Sequence, residues 1–160
     1  MKAHRIAVLG LLTAGLSACG DTYRASVWDA EVMFRHHRDA YQIVVDRVME
    51  APTEDHRGYE RGDRIFDGIP LSAGFETVSF SDDGNTRSVR IGLYSYGMAV
   101  SGRIVGLAYY VEGDPAGESG ADVRVFEDCQ ALEAAYESDE LIRVGYCRLA
   151  ENWFAFRYSF

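Results

Sequence analysis

Histidines, cysteines and carboxylates are the residue types here that could do chemistry, and their spacing decides which of it is open to them. His36 and His37 adjoin in a stretch read as helix, where neighbouring residues point about 100° apart. Both rings therefore cannot easily reach one ion, and His36 with Asp39 at i, i+3 supplies two ligands where a site needs more. His37 falls on the apolar side of that helix and reads as a core histidine with one hydrogen-bond partner. His56 stands beside Glu54 and Asp55 in a loop. Acid–base catalysis by His37 or His56 with nearby carboxylates requires convergence that spacing alone does not supply. The serines form no nucleophile elbow and the glycines no phosphate-binding loop. Cys129 and Cys147 lack ligand-spaced partners, so no metal site and no cofactor are expected.

The third cysteine has a different context. Lys2 and Arg5 precede an apolar or small run from Ile6 to Leu16, and no acidic residue occurs before Asp21. This is a charged region followed by an apolar segment of secretory length, short of the roughly 18–20 residues of a spanning helix. The segment ends in Leu16-Ser17-Ala18-Cys19, which resembles the bacterial lipobox. The resemblance implies that a diacylglycerol is attached to the Cys19 thiol, that residues 1–18 are removed, and that the new amine is often acylated too. Several acyl chains, at about 0.8 kcal/mol per buried CH₂, anchor far more firmly than one. Gly20 follows the cysteine, and Asp21 comes one position too late to resemble the inner-membrane retention signal of enteric bacteria. The resemblance therefore points to the periplasmic leaflet of the outer membrane rather than to the inner membrane.

Removal of residues 1–18 leaves a chain the size of one ordinary domain. Of the whole sequence, 48% is hydrophobic and 12% aromatic, enough for a substantial core. The net charge is −9, and loss of Lys2 and Arg5 with the leader makes it −11. Such a surface disfavours nucleic acid and anionic headgroups. In an oxidising compartment Cys129 and Cys147 would pair by default, a bridge worth about 3 kcal/mol in the loop-entropy model. Two buried thiols are the alternative. Arg61-Gly62-Asp63 resembles the integrin-recognition tripeptide, but a protein facing the periplasm would meet no integrin.

The elements that would position these residues follow from periodicity. Residues 19–25 read as a short lipidated connector and residues 26–160 as a single globular domain. From Ser26 to Ala51 the pattern is helical, with Ser26 and Asp29 as a capping box and Pro52 as the stop. Val27, Phe34, Tyr41 and Val48, with Ala30, His37, Val44 and Ala51, make one stripe, widened by Trp28, Val32, Val45 and Met49. Residues 52–74 read as a long irregular loop. Strands are expected at Phe75–Phe80, from Ser88 to about Val100, and at Arg103–Val111, with turns at Asp83-Gly84 and Ser101-Gly102. A short strand Val123–Phe126, a helix Asp128–Glu137 and a closing hairpin, Leu141–Leu149 with Trp153–Phe160, complete the order. The expectation is α+β: a long N-terminal helix packed on an antiparallel sheet of five to six strands, plus one short helix near the C-terminus. The element order is similar to the cystatin-like arrangement of one helix cradled by a curved sheet.

Phe154, Phe156, Tyr158 and Phe160 alternate in a way that resembles the assembly signal of outer-membrane β-barrels. Five or six strands fall short of the eight a barrel needs, so a terminal core strand explains them better. The functional expectation is a non-enzymatic envelope lipoprotein, bound to the membrane through Cys19 and to a protein, cell-wall or lipid partner. Two alternatives remain. One is an inhibitor or immunity lipoprotein against a lytic enzyme or toxin. The other is a small periplasmic enzyme using His37 or His56.

Overall fold

The computed structural model describes residues 25–51, 58–98, 101–118, 122–138 and 142–159. Cys19 and the residues before it, His56 with Glu54 and Asp55, and Phe160 lie outside the described residues. The elements are α1 (Val27–Glu50), β1 (Tyr59–Glu60), β2 (Thr77–Asp82), β3 (Arg87–Met98), β4 (Ser101–Glu112), β5 (Val123–Phe126), α2 (Cys129–Glu137), β6 (Val144–Ala150) and β7 (Trp153–Ser159). The strands form one sheet in the order β1-β2-β3-β4-β7-β6-β5. The class is α+β as expected, with the long helix first and the short helix near the C-terminus.

The sheet has seven strands rather than five or six, and it is not wholly antiparallel. Tyr59 and Glu60 pair with Val78 and Thr77, which adds an edge strand too short for any periodicity to reveal. β5 pairs with β6 in parallel, because α2 carries the chain back across the sheet between them. The long loop is also more ordered than expected: 3₁₀ turns at Arg64–Phe66 and Leu71–Ala73 fold its described part onto α1. Arg47 donates to the carbonyls of Ile65 and Asp67 at 2.8 Å, and the Tyr41 hydroxyl donates to that of Ala73 at 2.6 Å. Ser101-Gly102 is not a turn but the start of β4, paired with Met98 and Gly97.

The helix begins where its cap predicts. The Asp29 carboxylate accepts from the Ser26 N–H at 2.7 Å. It also accepts from the Ser26 hydroxyl at 3.0 Å. Val27, Ala30, Phe34, Tyr41, Val44, Val45 and Val48 are buried, so the stripe packs on the sheet. The stripe is narrower than expected: Trp28 and Val32 are about half exposed, at 49% and 46%. His37 departs from the expected core position. It is half-buried, sits at a kink with φ −130° and ψ 22°, and turns its ring edge-on to Tyr41.

Both helices contribute to the same core. Val89, Ile91, Leu93, Val105, Leu107, Trp153 and Ala155 from the central strands meet the α1 stripe, and Cys129 and Leu132 of α2 join them. Trp153 stands at the centre, its ring 5.2 Å from Phe34 and 5.1 Å from Tyr109. A disulfide joins Cys129, at the start of α2, to Cys147 in β6. Glu133 of α2 ties the corner together. Its carboxylate accepts from the Val27 N–H at 2.6 Å. That N–H belongs to the first turn of α1, where no carbonyl of the helix itself can receive it. The same carboxylate pairs with Arg157 of β7 at 3.3 Å. No helix among the described residues is long and apolar enough to cross a membrane.

The stripe separates core from surface in a measurable way. Phe34→Ala is expected to cost about 3–5 kcal/mol, whereas Asp46→Ala on the exposed side should change stability by no more than about 0.5 kcal/mol. Urea titration of the two variants checks this. Equal midpoints would mean that the stripe is not what holds the helix to the sheet.

Candidate functional site

The strands alternate, so the residues that do not face the helices face the opposite side. On β2 these are Thr77, Ser79 and Ser81, opposite Gly92, Arg90 and Ser88 of β3. On β4 they are Ile104, Gly106, Ala108 and Tyr110, and on β7 Phe154, Phe156 and Tyr158. A second apolar cluster, separate from the helix-side core, forms here from Ala108, Tyr110, Val144, Tyr146, Phe154 and Phe156. The Arg148 guanidinium covers Phe154 at 4.7 Å from the ring centre, close enough for a cation–π contact.

A half-open groove of about 460 Å³ crosses this face. One wall is the hydroxyl row of β2. The other is Val144 and Tyr146 of β6 with Phe156 and Tyr158 of β7. Gly92 lies on the floor, and Gly106 lies against the Phe156 ring. Gly92 and Gly106 are paired across β3 and β4. A Cβ on Gly106 would lie 2.2 Å from the Ile91 carbonyl oxygen and 3.0 Å from the Phe156 ring, and one on Gly92 would lie 2.5 Å from the Thr77 hydroxyl. The register shifts just after this pair, and the resulting bulge sends both Leu93 and Tyr94 to the helix-side core.

Glu118 stands at one end of the groove, delivered by the 3₁₀ turn Pro115–Gly117, whose cap Asp114 accepts from the Ala116 N–H at 2.9 Å. Its side chain is 8% exposed and paired with Arg90 at 2.5 Å. Glu118 also accepts from the Tyr110 hydroxyl and, at 3.2 Å, from the Tyr146 hydroxyl. A buried carboxylate needs such a set of donors to offset its lost hydration. Burial, with Glu118 adding to it against the opposing charge of Arg90, pushes the Tyr146 hydroxyl up to about 12. Burial together with Tyr146 and Glu118 raises Tyr110 still further. Both tyrosines therefore remain protonated donors at neutral pH. For Arg90, burial opposes the charge, but Tyr146 and Glu118 outweigh it and hold the guanidinium ionised. The network ties β3, β4, β6 and the 113–118 turn to one carboxylate.

The residues singled out from sequence lie elsewhere. His36 is exposed and His37 half-buried on α1, in the other layer, with their rings 6.4 Å apart. Among the described residues no three His, Cys, Asp or Glu side chains gather to hold a metal. Arg61 and Asp63 serve their own loop: Arg61 donates to the carbonyls of Phe75 and Pro70, and Asp63 accepts from the Glu60 N–H. Sequence reasoning missed Arg90, Glu118, Tyr110 and Tyr146. The available signal was burial on consecutive positions: Gly145-Tyr146-Cys147 and Trp153-Phe154-Ala155-Phe156 are buried throughout, as strands covered on both faces are. Compared with known protein families, with curated proteins and with solved structures, the chain matches none.

The tyrosine network makes alkaline stability testable. A tyrosine whose folded value lies above its unfolded value of about 10 contributes stability that is complete below about pH 10. That contribution is lost as pH rises towards the folded value, about 12 for Tyr146. Urea midpoints should therefore fall between about pH 10 and 12, and Tyr146→Phe should flatten the fall. A slope unchanged by Tyr146→Phe would show that its hydroxyl is not held in this way.

Proposed function

We propose that this protein is a lipid-anchored component of the bacterial envelope that works by binding, and that the helix-free face of its sheet is the binding face. The observation that carries the binding reading is the groove itself: a hydroxyl wall, an aromatic wall, Gly92 on the floor and a half-buried Arg90–Glu118 pair at one end. Its size falls within the roughly 300–1,000 Å³ of small-molecule sites. A catalytic reading would gain from a histidine and two acids sharing a pocket; the groove holds Asp83 and Glu118, but no histidine among the described residues lines it. Three donors converge on Glu118 Oε1, and the neighbouring tyrosines are held protonated, an arrangement that suits fixed recognition better than proton transfer. The lipid anchor rests on Leu16-Ser17-Ala18-Cys19 and on the charged and apolar segment before it. The Cys129–Cys147 disulfide agrees with an oxidising compartment.

The anchor is tested by feeding producing cells a labelled fatty acid. Label should enter the native protein and be absent from Cys19→Ser. Incorporation that survives the substitution would remove the assignment.

The binding face is tested separately. A photo-crosslinking amino acid at Ser79, on the groove wall, should give adducts in intact cells, while the same residue at Asp46, on the exposed side of α1, should not. Adducts at Asp46 alone would place the working surface on the helical layer.

A further inference from the structure

We infer that the groove on the helix-free face takes an uncharged saccharide, held between the Thr77–Ser79–Ser81 hydroxyl row and the Tyr158 rim. This inference rests on the reading of that face as a binding face and adds the class of ligand.

Three properties of the groove select among ligands. The first is charge. Arg90 contributes one positive charge and Glu118 cancels it across 2.5 Å, while Asp83 adds a negative charge at the rim. A phosphate or fatty-acid headgroup would meet more negative than positive charge, and a cation would find Glu118 already engaged by Arg90. The second is the hydroxyl row. An acyl chain laid along Thr77, Ser79 and Ser81 would strip water from these groups and return no hydrogen bond, which is costly. Saccharide hydroxyls both donate and accept, as serine and threonine hydroxyls do, so the two rows match whatever their rotations.

The third is placement. The groove crosses the face of the sheet over β3 and β4, whose backbone groups are already paired with β2, with each other and with β7. A peptide adding as a strand needs unpaired edge groups, and the floor here offers none. A sugar ring needs only a flat apolar surface for its C–H face and polar groups for its rim. Tyr158, 40% exposed, provides that surface beside buried Phe156, and the groove's volume of about 460 Å³ leaves room for a ring.

The test uses the full-length protein in a polyoxyethylene detergent, which carries no sugar headgroup, and isothermal titration with defined probes. N-acetylchitotriose, maltotriose and cellotriose represent uncharged saccharides, laurate an acyl chain and trialanine a peptide. At least one saccharide should bind saturably, and laurate and trialanine should not. Ser79→Val alters an exposed side chain and should keep the native urea midpoint; Tyr158→Ala removes a ring that is 40% exposed, and its own urea midpoint shows that it is folded under the titration conditions. Each should weaken saccharide binding about tenfold or more, the equivalent of one lost contact worth about 1.4 kcal/mol. Failure of every saccharide to bind, saccharide binding indifferent to both substitutions, or saturable binding of laurate or trialanine instead would overturn the inference. Crosslinked adducts at Ser79 whose mass belongs to a lipid or peptide would overturn the ligand class while leaving the binding face in place. Absence of any adduct there would remove both.

Discussion

Burial of one helical stripe against β3, β4 and β7 is the interaction on which the rest of the structure depends. Val27, Phe34, Tyr41, Val44 and Val48 close over Trp153, Leu107 and Ile91, and no other element among the described residues offers comparable apolar area on that side. Because α1 and α2 both lie on this side, the other face of the sheet must find its own solution. It does so partly with aromatic residues and partly by staying open, and the groove is the open part. β7 makes the division visible. Trp153, Ala155 and Arg157 point to the helices, while Phe154, Phe156 and Tyr158 point to the groove side.

The two polar clusters occupy corresponding positions on the two faces. Glu133 receives Val27 and Arg157 on the helix side, and Glu118 receives Arg90, Tyr110 and Tyr146 on the other. Each is a carboxylate brought in by a segment outside the central strands and satisfied by groups from several elements. Such pairs contribute little net stability compared with apolar packing, but they are costly to mispair, so they fix where the outer segments sit. Glu133, with the disulfide, fixes α2; Glu118 fixes the 113–118 turn.

The features legible in the sequence are those with local causes. The heptad recurrence of Val27, Phe34, Tyr41 and Val48 marks the helix, the Ser26–Asp29 pair its start, and Asp83-Gly84 the β2–β3 turn. Cys129 and Cys147 pair by arithmetic if Cys19 is set aside as the expected site of lipid attachment. The features that escape the sequence depend on long-range pairing. β1 is a dipeptide that exists through its contact with β2. The parallel β5–β6 pair follows from where α2 packs, and Trp28 and Val32 resemble core until the edge of the stripe is fixed by its partner. The groove is the extreme case, since Arg90 and Glu118 are far apart in sequence and resemble ordinary solvent-side charges until the sheet brings them together. His36 and His37 are the converse case, because their residue type draws attention while on α1 one is exposed and the other half-buried against Tyr41.

The order of strands in the sheet carries one more consequence. β7 comes last in sequence but lies inside, between β4 and β6, with Arg103 opposite Ser159 and Val144 opposite Tyr158. Until residues 153–159 have been synthesised, β4 has an unpaired inner edge and α1 has no Trp153 to cover. β2, β3 and β4 can form a meander early, but the helical layer cannot close on it. The chain therefore has no half-folded form that buries its core, and an emerging polypeptide lacking its last strand must present an apolar surface and an open strand edge to whatever accompanies it. The same topology means that the groove face and the core are completed in a single event, by the two sides of one strand.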